Sequence, residues 1–307
     1  MASFLGIEIG GTKLQIVAGD GRGRIGRRWR AAAERAGGGP AICRQLQEGI
    51  AEIRKGVNPV AIGVGFGGPV DRQTGRIARS HQVDGWEDFD LRSWLREQSG
   101  LPVAVENDSN LAALAEARVG AGAGRDPVFY FNLGSGVGGG LVIDGRVYHG
   151  TPPGEAEFGH LLLDRTGATV ESRCSGWAID RRIRALCADR PGSFLARAIG
   201  PTPGGESKHL APALANGDPI AQTILHELSD DLAFALSHVA HLVHPELLVL
   251  GGGLALVGEP LRGAIADGLA RYVMKVFAPG PPIALANFGE DAVPTGALLL
   301  AAEIGGA

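Results

Sequence analysis

Two glycine-rich turns are the segments of this 307-residue chain whose residues point most directly to chemistry. One is Gly10-Gly-Thr-Lys13 and the other is Gly134-Ser-Gly-Val-Gly-Gly139. A glycine-rich bend can expose successive backbone N–H groups, which together form a concave site for anions. The sequence therefore favours phosphate binding at both turns, and two such turns could hold one polyphosphate from opposite sides. Tight hairpins that need positive φ are the alternative explanation at either turn.

The second turn also satisfies the G-x-G-x-x-G pattern of nicotinamide-binding sites, but the residues after it do not fit that fold. In a Rossmann site the pattern leads from a strand into a helix whose N-terminus meets the pyrophosphate. Here GGLVIDGRVYH (139–149) follows, which predicts a second strand and a hairpin. No Walker G-x-x-x-x-G-K-[ST] motif is present either. The hypothesis that the chain is a nicotinamide oxidoreductase therefore rests on this isolated pattern alone.

Both turns lie inside a repeated unit. Residues 4–25 and 128–149 each contain an apolar segment, a glycine turn, a second apolar segment, an Asp-Gly turn and the start of a third segment. These patterns predict a β-meander in each copy. The copies align without a gap at an offset of 124 (134 − 10; 144 − 20), and the matched pairs are Gly10 with Gly134, Asp20 with Asp144, Gly21 with Gly145 and Arg22 with Arg146. Such spacing indicates a duplicated domain, and chance similarity between common hairpin turns is the alternative.

Strand and helix patterns alternate along the rest of the chain. Short buried strands are predicted at 60–66, 101–107 and 247–253, and helices at 109–120, 218–243 and 258–273. The sequence therefore predicts an α/β protein, and its length suits two domains.

Composition narrows the class of protein. Apolar residues make up 45% and charged residues 20%, and no run approaches the ~18 uncharged apolar residues that a membrane span needs. The formal charge of −4 includes no large basic block, which argues against nucleic-acid binding. The N-terminal residues lack the pattern of a signal peptide, so we expect a cytoplasmic protein. Cys43, Cys174 and Cys187 are far apart and form no C-x-x-C pair, which argues against a disulfide framework.

Seven motifs, taken in order, resemble those of the ROK family, which contains bacterial glucokinases, fructokinases and N-acetylmannosamine kinases together with sugar-responsive repressors. They are IEIGGTK (7–13), GFGGPVD (65–71), VENDSN (105–110), LGSGVGGGLVIDGRVYHG (133–150), EFGH (157–160), HPELLVLGGGLA (244–255) and GEDAVPTGA (289–297). The resemblance runs nearly from end to end, which makes it more specific than any one motif.

The resemblance implies an actin-like (ribonuclease H-like) α/β fold, duplicated as two domains with a central cleft. We expect an N-terminal domain at 1–110, completed by a C-terminal helix at 292–307, and a C-terminal domain at 111–291. The implied activity is glucokinase-like: ATP with Mg²⁺ phosphorylates a hydroxyl of a hexose or hexose derivative. Polyphosphate as the donor stays open. A homodimer or higher homo-oligomer is also expected.

Asp108 is the residue at which the resemblance places the catalytic aspartate. Phosphoryl transfer needs charge neutralisation, alignment and a carboxylate that accepts the proton of the sugar hydroxyl. Asp108 follows a predicted strand and starts a predicted helix, so an N-cap within Asn107-Asp108-Ser109 is the alternative role. With Asp108 as the general base, Asn107 would hydrogen-bond the sugar.

The resemblance assigns two further sets of residues. The sugar-binding set is Gly68, Asn107, Asp108, Glu157, His160 and Glu171. The nucleotide-binding set is Glu8, Gly10, Gly11, Thr12, Lys13, Gly134, Ser135, Gly136, Gly138, Gly251, Gly252 and Gly253.

The chain departs from the family pattern at three places. Glu8 stands where the family has an aspartate that faces Mg²⁺ and the phosphates, and the water shell of Mg²⁺ can absorb one extra methylene. Only Cys174 remains of the cysteine cluster with which many members bind structural zinc, so we expect no zinc site and a different partner for His160. Gln82 replaces the usual asparagine near the sugar.

Two hypotheses of different classes follow. The first is an ATP-dependent sugar kinase. The second, motivated by Glu8, is a catalytically weak or inactive sugar-binding sensor of the same fold. A DNA-binding repressor is disfavoured because the chain begins directly at the first predicted strand.

Overall fold

The computed structural model describes residues 2–78, 85–151 and 156–306. The strands of these residues are β1 (Ser3–Ile9), β2 (Lys13–Gly19), β3 (Ile25–Ala32), β4 (Pro59–Phe66), β5 (Val70–Asp71), β6 (Arg76–Ile77), β7 (Phe89–Asp90), β8 (Val103–Asn107), β9 (Val128–Leu133), β10 (Val137–Ile143), β11 (Arg146–Val147), β12 (Leu247–Gly251) and β13 (Ile283–Leu285). The α-helices are α1 (Gly38–Arg54), α2 (Leu91–Ser99), α3 (Asp108–Val119), α4 (Val170–Cys174), α5 (Gly176–Asp189), α6 (Phe194–Ala198), α7 (Leu210–Ala215), α8 (Pro219–Val243), α9 (Glu259–Tyr272) and α10 (Ala292–Ile304). Strands and helices alternate, so the predicted α/β class is confirmed.

The described residues form two compact units. Unit 1 comprises those within Met1–Ala123, Gly140–Ala156 and Glu290–Ala307, and unit 2 comprises those within Gly124–Gly139 and Glu157–Gly289. The domain boundaries expected from the sequence, 1–110 with 292–307 and 111–291, stay a prediction.

Unit 1 contains a five-stranded sheet of order β3-β2-β1-β4-β8. The β1–β2 and β2–β3 pairs are antiparallel, whereas β1–β4 and β4–β8 are parallel. Apolar side chains of β1 alternate between the two faces: Leu5 and Ile7 join a cluster with Ile42 of α1, and Phe4 joins one with Leu298 of α10. Burial on both faces explains why these strands are apolar almost throughout.

Two glycines let α10 pack directly on the sheet of unit 1. A Cβ added to Gly6 of β1 would lie 2.7 Å from the Pro294 carbonyl oxygen, and one added to Gly63 of β4 would collide with the Ala297 carbonyl oxygen. Any larger residue would therefore push the helix off the sheet.

Unit 2 contains the parallel strands β9, β12 and β13, with β12 between the other two. Helix α8 begins after the N-cap Asp218, whose Oδ1 accepts the backbone N–H of Ile220 at 2.8 Å. The helix ends at Val243, and the C-cap residue His244 has a left-handed backbone conformation with φ 49°. None of the helices in 2–78, 85–151 and 156–306 is both long enough and apolar enough to span a bilayer.

The predicted order of elements is confirmed in both copies of the repeat. Strand β2 spans 13–19 and β10 spans 137–143, so their bounds differ by the predicted 124 (137 − 13; 143 − 19). The match ends at the next turn. Asp144 and Gly145 form a two-residue turn with positive φ in the second copy, whereas Asp20 Oδ1 accepts the N–H of Arg22 and Arg24 and holds a wider turn in the first.

Candidate active site

The junction between β8 and α3 carries Asn107 and Asp108. Asn107 has extended backbone dihedrals, and its Oδ1 accepts the backbone N–H of Ser109 at 2.8 Å and of Asn110 at 3.2 Å. Asn107 is therefore the N-cap of α3, and Asp108 is the first residue of the helix. The alternative role for Asp108, capping, belongs to its neighbour. Asn107 also donates from Nδ2 to the Gly68 carbonyl oxygen at 3.2 Å, which leaves one amide N–H for another partner.

The Asp108 carboxyl is half-buried, and the hydrogen bonds found for it in the described part of the chain come from Ser109. Its Oδ1 accepts the backbone N–H of Ser109 at 2.7 Å. Desolvation raises the pKa of Asp108 to about 6, and repulsion from the Glu8 carboxylate acts in the same direction. An aspartate with this pKa in a polar corner has the properties of a general base.

Glu8 lies on β1 opposite Gln15 of β2. Its side chain is 13% exposed, Lys13 Nζ lies 3.6 Å from its Oε1, and Gln15 donates to its Oε2. Burial raises the pKa of Glu8 although Lys13 and Gln15 both act to lower it. The carboxylate is therefore incompletely compensated.

The residues around Glu8 fit a divalent cation. Glu8 and Asp108 both have raised pKa values, and the charge of one contributes to the shift of the other. A cation would relieve this excess of negative charge. One or two carboxylates suit Mg²⁺, which keeps several of its waters. The donor set is therefore of the right kind.

Two charged residues that the sequence did not indicate, Glu290 and Arg30, contact Lys13 and Gln15. Gln15 is fully buried, and its Nε2 also donates to the Glu290 carbonyl oxygen at 3.2 Å. The Glu290 carboxylate lies 3.9 Å from Lys13 Nζ. Arg30 donates from Nε to Gln15 Oε1 at 3.0 Å. The signal available in the sequence was a glutamine within a mostly apolar strand, KLQIVAG. Its partner Glu290 belongs to the GEDAVPTGA motif.

Gly10 and Gly134 begin the two predicted phosphate turns, and each has room for a Cβ. Gly10 donates its N–H to the Lys13 carbonyl oxygen at 3.0 Å, and Gly134 donates to that of Gly136 at 2.9 Å. Neither Gly10 nor Gly134 has positive φ, so the alternative explanation from backbone conformation is wrong for both. A Cβ would lie 3.4 Å from its nearest neighbour at Gly10 and 3.8 Å at Gly134. Neither backbone conformation nor local packing therefore requires glycine at these two positions, and phosphate binding at the turns stays a prediction.

The other predicted residues of unit 1 lie near the first turn or the Asn107 corner. Gly11 is half-buried, and Thr12 is exposed and accepts the Ala33 N–H through its carbonyl oxygen at 3.1 Å. Gly68 carries the carbonyl that Asn107 contacts. The structure thus brings Gly68, Asn107 and Asp108 together.

Glu171 of unit 2 supports the second glycine turn. Its Oε2 accepts the Val137 N–H at 2.9 Å, and a Cβ at Gly136 would lie 2.5 Å from the same oxygen. Ser135 is exposed and Gly138 is half-buried beside this turn. Glu171 therefore has a defined contact with the predicted phosphate turn, which its assignment to the sugar set did not anticipate.

Glu157 and His160 are exposed, and His160 Nε2 lies 3.9 Å from Glu157 Oε2. The segment after them is tied to the start of α4 by the Val170 N–H, which donates to the Leu161 carbonyl oxygen at 3.0 Å. This contact brings His160 and Glu171 into one region of unit 2. Gln82 lies outside the described residues, and within those residues no group of three metal-binding side chains occurs.

Gly251, Gly252 and Gly253 follow one another at the end of β12. Side chains are excluded at Gly251 by the Tyr130 ring and at Gly252 by the Leu133 backbone and by φ 83°. A Cβ at Gly253 would meet nothing within 4 Å. Local packing thus accounts for the first two glycines, and Gly253 alone leaves space for a ligand.

Comparison with known proteins adds to this geometry. The sequence model of the ROK family matches residues 4–304. The chain belongs to the ROK family. The glucokinase of Thermotoga maritima is 29% identical over 312 residues, which cover 99% of this chain and 98% of that protein. The glucokinase of Streptomyces coelicolor is 30% identical over 315 residues, which cover 99% and 98%.

A ROK family glucokinase from Streptomyces griseus, crystallised with glucose and AMPPNP, is 30% identical with a TM-score of 0.84. The match covers 98% of this chain and 100% of that one. The predicted family, the actin-like fold and the enzyme class, an ATP-dependent sugar kinase, are confirmed by these matches.

Proposed function

We propose that this ROK protein transfers the γ-phosphoryl group of ATP to a hydroxyl of a hexose or hexose derivative, with Asp108 as the general base. The observation that supports the proposal is the raised pKa of the Asp108 carboxyl, which does not cap α3. Asn107, not Asp108, is the N-cap of α3, and burial raises the pKa of the Asp108 carboxyl to about 6. Such a carboxylate is mostly ionised near neutral pH and is more basic than an ordinary aspartate.

In the proposed phosphoryl transfer, Asp108 accepts the proton and ADP is the leaving group. The sugar hydroxyl gives its proton to Asp108, its oxygen forms a bond to the γ-phosphorus, and the bond from that phosphorus to the ADP oxygen breaks. Asn107 has one amide N–H left to orient the sugar. Gly68, Glu157, His160 and Glu171 complete the proposed sugar set.

Each glycine turn is proposed to bind phosphate through backbone N–H groups other than those of Gly10 and Gly134, which already donate within the turns. The Lys13 ammonium adds positive charge at the first turn. Gly253 is proposed to leave room for the nucleotide. Glu8 would hold Mg²⁺, and the cation would neutralise phosphate charge. Lys13 already contacts Glu8 and Glu290, so it is positioned before ATP arrives.

Glucose is the first acceptor to test, because the Streptomyces griseus relative was crystallised with it and the Thermotoga maritima relative is named a glucokinase. The assay couples ADP release to NADH oxidation over a panel of hexoses, amino sugars and N-acetylated sugars. ATP and polyphosphate are compared as donors, the latter by detecting the sugar phosphate. We expect ATP-dependent turnover with at least one hexose.

The variant Asp108→Asn tests the assigned base. General-base catalysis is worth about 10²–10⁴-fold, so kcat should fall by that factor. Asp189→Asn, at an exposed residue of unit 2, is the matched control and should keep full activity. Activity that survives Asp108→Asn would remove the mechanism. Calorimetric sugar binding without turnover by the wild-type chain would favour the sensor hypothesis instead.

A further inference from the structure

Glu106 and His149 form a polar pair beside the Asn107–Asp108 corner. His149 Nε2 lies 2.6 Å from Glu106 Oε2, and the side chains are 15% and 7% exposed respectively. Because an ionised carboxylate only accepts hydrogen bonds, the imidazole nitrogen donates. His149 follows β11, so this contact joins two distant segments of unit 1.

The other oxygen of Glu106 holds the corner itself. Glu106 Oε1 accepts the backbone N–H of Asn107 at 2.9 Å and the side-chain Nδ2 of Asn110 at 3.0 Å. Asn110 is buried, and within the described residues its Oδ1 has no hydrogen-bond partner. The orientation of the Asn110 side chain therefore depends on Glu106. Asn110 in turn gives its backbone N–H to the Asn107 cap.

A buried carboxylate is a costly way to support a turn. The desolvation of such a group is offset only by well-aligned hydrogen bonds, and apolar residues of similar volume often give equal or greater stability. The three hydrogen bonds of Glu106 described above link Asn107 and Asn110 to His149. Such an arrangement provides orientation rather than stability.

The Glu106–His149 pair is accessible to small molecules through a cavity. Glu106 and His149 line a cavity of about 700 Å³, together with Val105, Leu111, Arg118 and Arg146. The volume greatly exceeds that of an imidazole molecule. A small molecule can therefore approach the position of the His149 ring.

We infer that His149 is a positioning residue for the phosphoryl transfer: through Glu106 it fixes the backbone of Asn107 and the side chain of Asn110, and thereby the direction of the Asp108 carboxylate. The inference rests on the proposed function. A small misplacement of a catalytic group can cost about 10²-fold in rate, so the support of the corner is sufficient to control turnover.

Two substitutions of His149 separate hydrogen bonding from packing. His149→Gln keeps an N–H donor, whereas His149→Phe keeps the ring volume and removes the donor. We expect kcat to fall at least tenfold in the Phe variant and to stay within about threefold of wild type in the Gln variant. The KM for ATP should stay within about twofold in both. Tyr148→Ala, which truncates an exposed neighbour, is the control and should match wild type.

A third variant opens the site to chemical rescue. His149→Ala leaves space for an imidazole molecule beside the cavity, so added imidazole should raise its kcat and leave that of the Phe variant unchanged. This measurement also serves if the Phe variant does not fold.

The opposite order, with the Phe variant active and the Gln variant impaired, would show that the ring acts through packing and would overturn the inference. Equal impairment of both variants, or no response to imidazole, would do the same. A wild-type chain without turnover would instead contradict the proposed function. In that case the sugar dissociation constants of wild type, His149→Phe and His149→Gln would test the inference, because Asn107 lies in the same corner. The inference requires the constant to rise for His149→Phe and to stay unchanged for His149→Gln.

Discussion

Asn107 caps helix α3 and so leaves the Asp108 carboxyl without a capping role: the Asn107 Oδ1 takes the N–H groups of Ser109 and Asn110. Adjacent residues thereby divide two tasks, one structural and one available for chemistry. Burial of the Asp108 carboxylate raises its pKa, repulsion from the Glu8 carboxylate adds to the shift, and the hydrogen bonds from Ser109 only partly offset it.

The pH dependence of kcat/KM should report this carboxyl. A base must be ionised, so kcat/KM should fall tenfold per pH unit below the pKa of Asp108, which is about 6. Initial rates of ADP release between pH 4.5 and 8, with the coupling enzymes in excess, locate the bend. An acidic limb near the ordinary aspartate pKa of about 4 would argue against Asp108 as the base.

Asp108→Asn should stabilise the protein while it removes activity. The folded pKa of about 6 lies above the ordinary value of 3.8, so stability is lost as the pH rises through this interval. Above it, the ionised carboxyl costs up to about 3 kcal/mol, which the uncharged Asn avoids. Differential scanning fluorimetry should show a higher Tm for the variant at pH 8 and a smaller difference at pH 5. Asp189→Asn should show neither change.

Substitutions of Asn107 should separate its capping role from its contact with Gly68. Asn107→Ser keeps a capping hydroxyl, whereas Asn107→Ala loses the cap at a cost of about 1 kcal/mol. Urea unfolding should therefore distinguish the two variants. The KM for the sugar should rise in both, since neither retains the amide. An unchanged sugar KM in Asn107→Ser would exclude Asn107 from the proposed sugar set.

Alanine at the glycines of the two turns should impair nucleotide binding without loss of stability. The protein accommodates a Cβ at Gly10 and at Gly134, so the Tm should change little. The added methyl group would enter the space proposed for phosphate, and the KM for ATP should rise about tenfold, equivalent to ~1.4 kcal/mol. Gly26→Ala, on β3 with similar space, is the control. Unchanged ATP kinetics in both turn variants would contradict phosphate binding there.

The sequence was informative wherever function depends on local order. Strand β2 and strand β10 have the bounds that the offset predicts, and Asp108 follows its strand as expected. The partners of Gln15 were out of reach, because its bond to Glu290 joins residues 275 positions apart and depends on where α10 returns to the sheet. The Glu106–His149 contact likewise depends on how the segment after β11 folds back. Local patterns predict elements, but they do not determine which distant side chains meet.

The return of α10 to the first sheet has a consequence for biosynthesis. Phe4 near the start of the chain shares an apolar cluster with Leu298, Ala301 and Ala302. A ribosome that has already produced β1 and β4 must therefore also produce α10 (Ala292–Ile304) before that face of the sheet can be covered. During this interval the nascent chain exposes an apolar surface, of the kind that chaperones bind and that promotes aggregation. Because segments of unit 1 precede and follow unit 2 in the chain, α10 joins its sheet only after unit 2 has been synthesised.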